Sequence, residues 1–206
     1  MAEIAGIVLA AGRATRFGGA PGATKLTATD GGQPLVRRAA SAALAAGLSP
    51  IVVVTGHARA AVVEALAGLT GDEHTIVEAF NARYADGLAG SLRAGLDATP
   101  PDVAGAVVLL GDMPRVTPAL IAALAAAFAA RPDAHAAAPA RDGRRGNPVL
   151  LGRALFDAAR RLEGDVGARA LLRSPGVRVA DVACADDGAF LDIDTRAALA
   201  ALTRRD

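Results

Sequence analysis

Uninterrupted apolar stretches alternate along this chain with segments whose apolar residues recur every three to four positions, so strands and helices are expected to follow one another. Ile4–Ala10 carries no polar side chain and gives way to Ala11-Gly12, the pattern of a strand buried on both faces of a parallel sheet. Residues 11–32, rich in Gly, Thr and Ala, predict a long loop. Residues 34–46 predict a helix, with proline at its start and Gly47 past its end. Ile51–Thr55 reads as a second buried strand, residues 58–69 as an apolar-rich helix, and residues 75–78 as a weaker third strand. A polar loop over 81–90 then leads to a short helix at 91–96, closed near Gly95.

Residues 106–110 repeat the pattern of the first strand, and Gly111-Asp112 stops them. Thr117 stands where an N-cap belongs and Pro118 at the first helical position, which predicts a helix over 117–130. A strand at 134–139, a basic turn at 141–146, a strand at 148–151 and a helix at 154–162 follow. Residues 177–182 alternate as an edge strand does, and Asp194 or Thr195 is placed to cap a last helix over 196–202. Strands alternating with helices imply right-handed crossovers and a mostly parallel sheet. The expected fold is therefore a Rossmann-like, three-layer α/β/α sandwich, with residues 1–206 as a single domain. Ligands of such sheets bind at the carboxyl ends of the strands, where strand order reverses. This puts residues 10–25 and 111–114 on one edge.

Composition sets outer bounds. A domain of 206 residues buries about 70% of its extended-chain surface, enough for a core without staples. No run approaches the roughly 20 apolar residues of a membrane span, and the first residues lack the basic start and cleavage site of a secretory signal. A soluble, cytoplasmic protein is expected. A net charge of +1 and 3% aromatic residues argue against a nucleic-acid partner. Cys184 is the single cysteine, so neither an internal disulfide nor a Cys-rich metal site is available. The three histidines, His57, His74 and His135, show no metal-binding spacing.

Charge changes the picture at one place. The chain has 21 arginines and one lysine, Lys25, which lies in the Gly-rich loop. Its presence there points to a local need for a compact ammonium on a flexible stem. Upstream, Leu9-Ala10-Ala11-Gly12-Arg13-Ala14-Thr15-Arg16-Phe17-Gly18 combines small residues, whose backbone N–H groups an anion can approach closely, with Arg13 and Arg16. The spacing is neither a Walker A loop nor GxGxxG, and a solvated loop with stray arginines would read the same way. Gly111-Asp112-Met113-Pro114 fixes a carboxylate just past a buried strand, where Mg²⁺ can share it with substrate phosphates. In Leu191-Asp192-Ile193-Asp194-Thr195, period-two spacing puts Asp192 and Asp194 on one side of an extended segment. Either acid is a candidate second metal ligand, and Asp194 alone would serve equally as a helix cap.

These motifs occur in one order with Gly146-Asn147-Pro148 and Gly164-Asp165-Val166-Gly167-Ala168. Together they resemble the MobA-like nucleotidyltransferases, most of all the molybdenum cofactor cytidylyltransferase (MocA-type) branch. The resemblance implies a nucleotide-diphospho-sugar transferase type of fold. It also implies that CMP passes from CTP to the phosphate of molybdopterin, the molybdenum cofactor, with release of pyrophosphate and with Mg²⁺ as cofactor. Related transferases use GTP or other phosphorylated acceptors, and a non-catalytic cofactor-binding chaperone is the alternative outside enzymology.

By this resemblance Leu9, Ala10, Ala11, Gly12, Arg13 and Lys25 bind the nucleotide. Lys25, Arg16 and Asp112 are catalytic, and Asp112 holds Mg²⁺ with Asp192 or Asp194. Asn81, Gly87, Leu88 and Ser91 recognise the base, and Asn147, Pro148, Asp165 and Gly167 meet the phosphorylated pterin acceptor. A molybdoenzyme or its chaperone is the implied macromolecular partner. One feature departs from the family: the Gly-Ala-Pro-Gly-Ala-Thr spacer between Gly18 and Lys25 is longer than usual.

Overall fold

A computed structural model of the chain describes residues 3–13, 17, 24–69, 76–185 and 187–203. In chain order its strands are β1 (Ile4–Ala10), β2 (Thr29–Asp30), β3 (Gln33–Pro34), β4 (Ile51–Thr55), β5 (Ile76–Phe80), β6 (Gly105–Leu110), β7 (Ala136–Arg141), β8 (Arg144–Arg145), β9 (Val149–Gly152) and β10 (Val179–Ala183). Its helices are α1 (Leu35–Ala45), α2 (Arg59–Ala65), α3 (Leu88–Asp97), α4 (Pro118–Ala129), α5 (Phe156–Arg160) and α6 (Arg196–Thr203). The main sheet runs β10-β7-β9-β6-β1-β4-β5, with β8 paired to β7. Pairing is parallel except where β9 runs antiparallel between β6 and β7, and in the β7–β8 hairpin. This is the expected mostly parallel, Rossmann-like α/β/α fold.

The period-two alternation of strands builds its two cores. Ile7 and Leu9 of β1, with Val52 and Val54 of β4, pack under Leu92 and Leu96 of α3 and Phe156 of α5. Val8 and Ala10, with Ile51 and Val53, pack under Val36 and Ala40 of α1 and Ile121 and Leu124 of α4. Each fully buried Leu, Ile, Val or Phe contributes roughly 1.5–3 kcal/mol by leaving water, so both faces of the central strands are held. Gly95 lies inside α3 rather than closing it. A Cβ there would stand 2.5 Å from Ile7 Cγ2, so the missing side chain lets the helix seat directly on β1.

Other expectations shift for local reasons. The long loop at 11–32 contains structure. Thr24 Oγ1 accepts from Leu26 N, buried Leu26 anchors a 3₁₀ turn over Lys25–Thr27, and β2 and β3 form a short hairpin. Helix α3 starts at Leu88, because apolar Leu88 and Ala89 extend its packed face before Ser91. The third strand runs to Phe80 in parallel pairing with β4, and Thr75 lies outside the described residues. Thr195, not Asp194, caps α6: its hydroxyl accepts from Ala198 N at 3.1 Å. Cys184 is buried beside Leu120 and Ala189. Among the described residues no helix is long and apolar enough to cross a membrane.

The sheet order places β1 beside β6 in level register, Leu9 opposite Leu110. The residues following each strand therefore leave the sheet together. Gly111 N donates to Leu9 O at 3.1 Å, which ties the two exits.

Candidate active site

Three segments meet at those exits. Lys25 opens the 3₁₀ turn that Thr24 caps and Leu26 anchors. Asp112 follows β6 in a turn held by Met113 N donating to Leu110 O, with Met113 and Val116 buried beneath. The segment bearing Asp192 and Asp194 is pinned there by Ile193 N, which donates to Asp112 O at 3.0 Å. Ile193 is fully buried against Leu35, and the acids on either side of it both face one hollow. In this way a buried apolar residue sets the direction of two charged ones.

The Lys25 ammonium stands between the two carboxylates, 2.6 Å from Asp112 Oδ2 and 2.7 Å from Asp194 Oδ1. The Lys25 and Asp112 side chains are 14% and 16% exposed, and that of Asp194 42%. Burial alone would push the ammonium toward neutrality. The charges and hydrogen bonds of Asp112 and Asp194 outweigh it and hold Lys25 above the ordinary lysine value of 10.5, so it is charged at neutral pH. Asp192 is exposed on the rim of the same hollow.

Two hard oxygen donors from distant parts of the chain thus converge on one cationic centre. Among the described residues no group of three or more His, Cys, Asp or Glu is arranged to hold a metal. A pair of carboxylates with room for water and phosphate oxygens fits Mg²⁺ or Mn²⁺, which take one or two protein carboxylates plus substrate oxygens.

The hollow measures about 680 Å³. Leu9, Ala11, Gly12 and Arg13 of the predicted loop line it beside Lys25, and Gly87, Leu88 and Ser91 line its far wall. Ala10 does not, because the pleat turns its side chain to the opposite face, under α1. Arg16 lies outside the described residues. Asn81 is buried behind the wall: its Nδ2 donates to Ser91 Oγ at 3.1 Å and its Oδ1 accepts from Arg83 N at 2.9 Å. Its amide therefore holds the loop to α3 rather than facing the hollow.

A second hollow of about 310 Å³ adjoins the first and shares Leu9, Leu88, Leu110 and Asp165 with it. Asn147 and Gly167 line it, whereas Pro148 is buried outside its wall. The loop carrying Asp165 is docked onto the start of α3, where Ala89 N donates to Gly164 O at 3.1 Å. Gly87 permits this contact. Its φ is +113°, and a Cβ would lie 2.3 Å from the Gly164 carbonyl. No other residue type satisfies both conditions.

Sequence reasoning passed over Tyr84, which lines the large hollow on a 3₁₀ turn. The Arg13 guanidinium lies 5.7 Å from its ring centroid and the His57 ring 5.8 Å away. The available signal was rarity: Tyr84 is the single tyrosine of the chain, as Lys25 is the single lysine.

A family model for the MobA-like NTP transferase domain matches residues 6–181. Among solved structures, Rv0371c of Mycobacterium tuberculosis H37Rv is 28% identical, with a TM-score of 0.79 over 98% of each chain. Rv0371c in complex with manganese matches with 26% identity and a TM-score of 0.77, over 99% of this chain and 100% of that one. A nucleotidyl transferase of Methanothermobacter thermautotrophicus, Mth528, is 25% identical, with a TM-score of 0.80 over 98% of this chain and 97% of its own. No protein of curated function matches the chain significantly in sequence. The chain belongs to the MobA-like NTP transferase domain family, and nucleotidyl transfer is the class of activity that this membership supports.

Proposed function

We propose that this protein transfers CMP from CTP to the phosphate of the molybdenum cofactor's pterin, releasing pyrophosphate. The observation that carries the reading is the Lys25 ammonium held between Asp112 and Asp194, in a hollow walled by Ala11, Gly12 and Arg13. A triphosphate in that hollow meets positive charge and small residues on one side and two carboxylates on the other. Asp112 and Asp194 would hold a divalent cation, Mg²⁺ by this reading, which would neutralise phosphate charge; the manganese complex of Rv0371c supports a divalent ion.

An oxygen of the acceptor phosphate attacks the α-phosphorus. The new P–O bond forms as the bond to the pyrophosphate oxygen breaks, and the leaving group carries away the electron pair. The attacking oxygen is already anionic at neutral pH, so no general base is required. The barrier is repulsion and positioning. Lys25, released from the acids, and Arg13, with Arg16 beyond the described residues, stabilise charge on the leaving pyrophosphate. Gly87, Leu88 and Ser91 flank the base, and the 90–95 segment, which resembles the cytidylyl branch, favours cytosine. Asn147, Asp165 and Gly167 receive the acceptor, with Pro148 behind them.

Thermal unfolding with Mg²⁺ and each of CTP, GTP, ATP and UTP tests the donor, with pyrophosphate release measured on addition of molybdopterin. CTP should stabilise selectively, by about 2.7 kcal/mol at one hundred times its Kd, and should alone support release. Stabilisation by none of the four would contradict the reading.

Gly12 offers a separate check. A Cβ there meets nothing within 4 Å. Gly12→Ala is therefore expected to leave stability within about 0.5 kcal/mol of the parent. It is expected to weaken nucleotide binding about tenfold, because the methyl group intrudes where the phosphates approach the backbone. Melting curves and calorimetric titration with CTP measure the two effects.

A further inference from the structure

Most arginines in this chain are spoken for. Among the described residues they pair with acids, cap carbonyls or lie over aromatic rings, as Arg59 does with Glu78 and Arg93 with the carbonyls of Arg160 and Leu162. Arg144, Arg161, Arg169 and Arg173 take part in no such contact, and three of these four line one hollow of about 450 Å³. Its one acid, Asp181, is already neutralised by a two-point bond from Arg145, at 2.7 and 3.1 Å, and Arg145 also donates to Leu172 O. Three exposed arginines without a paired acid thus line one hollow. They come from separate elements, Arg144 from the β7–β8 hairpin and Arg169 and Arg173 from the 3₁₀ turns over Ala168–Arg173. Like charges brought together repel, and a guanidinium fork matches phosphate and carboxylate oxygens two at a time.

The hollow also shares part of its lining with the smaller hollow beside the candidate site. Arg169 and Arg173 line the 310 Å³ hollow that holds Asn147, Asp165 and Gly167. We infer that the arginine-lined hollow is an anion subsite, and that the acceptor carries a second anionic group, separate from the phosphate that reacts, which Arg144, Arg169 and Arg173 receive. The acceptor half of this inference rests on the nucleotidyl-transfer reading; the anion site itself does not.

The test uses the full chain labelled at arginine Nε and titrated with inorganic phosphate while the Nε–H signals are followed. The signals of Arg144, Arg169 and Arg173 should move together along one saturable curve, while that of Arg161 stays in place. Arg169→Ala/Arg173→Ala should weaken phosphate binding seen at Arg144 at least tenfold, and Arg161→Ala should change it less than twofold. In the pyrophosphate assay the double variant should raise KM for molybdopterin at least tenfold and leave KM for CTP unchanged. Phosphate shifts of equal size at Arg161, or binding unaltered by the double variant, overturn the subsite. Saturable phosphate binding in a protein that turns over none of the four nucleotides overturns the acceptor half alone.

Discussion

Asp112→Ala is expected to lower pyrophosphate release about 10³-fold, in the range seen when a preorganised charge-stabilising group is lost. Its fold should survive. The turn after β6 is held by main-chain bonds, Gly111 N to Leu9 O and Ile193 N to Asp112 O, which do not use the aspartate side chain. Lys25 keeps Asp194 as a partner at 2.7 Å, so no buried charge is stranded. Circular dichroism and melting curves close to those of the parent, with release lost, separate a chemical role from a structural one. Asp192→Ala is the control. That acid is exposed and makes no contact with Lys25, so release should fall tenfold or less. A larger loss there would move the second metal-side position from Asp194 to Asp192.

Lys25→Met should separate two properties that normally move together. The substitution keeps the length of the stem and removes the charge, so Asp112 and Asp194 lose the ammonium that joins them. The metal-free protein should lose about 1–3 kcal/mol of stability, the range for removing a hydrogen-bond partner from a charged group. Mg²⁺ should restore it, because a divalent ion no longer competes with an ammonium for the same oxygens. The variant should therefore bind Mg²⁺ more tightly than the parent while turning over about 10²-fold more slowly. Calorimetric Mg²⁺ titration in the absence of nucleotide and the pyrophosphate assay measure the two effects. Tighter metal binding with undiminished turnover would remove Lys25 from the chemistry.

The parts of this fold legible in sequence were those whose signal is local. β1, β4 and β6 are buried on both faces, so unbroken apolar runs mark them, and Asp112 is found by where such a run stops. Thr117-Pro118 announces α4 within two residues. What escaped depends on distant partners. No spacing rule joins Lys25 to Asp194, which lies 169 positions away, yet the two are in contact in the candidate site. Asn81 reads as a base-recognising amide, and no linear pattern shows that Ser91 and Arg83 each take one of its hydrogen bonds. α3 starts at Leu88, three residues before the sequence predicts, because Gly87 and Gly90 look like loop residues. In the fold, Gly87 serves a close approach to Gly164, and Gly90 sits on a helix that packing sustains. Arg144, Arg169 and Arg173 come from a hairpin and a 3₁₀ segment, so the hollow they share has no linear pattern at all.

The central claim is that the cluster of one ammonium and two carboxylates is where the triphosphate of the donor is held. A crystal structure with Mg²⁺ and a non-hydrolysable CTP analogue tests it directly. The account predicts Lys25 Nζ on a phosphate oxygen, more than 4 Å from at least one of the two acids, with the metal taking its place between Asp112 and Asp194. An analogue bound elsewhere, with Lys25 still seated between both carboxylates, would contradict it.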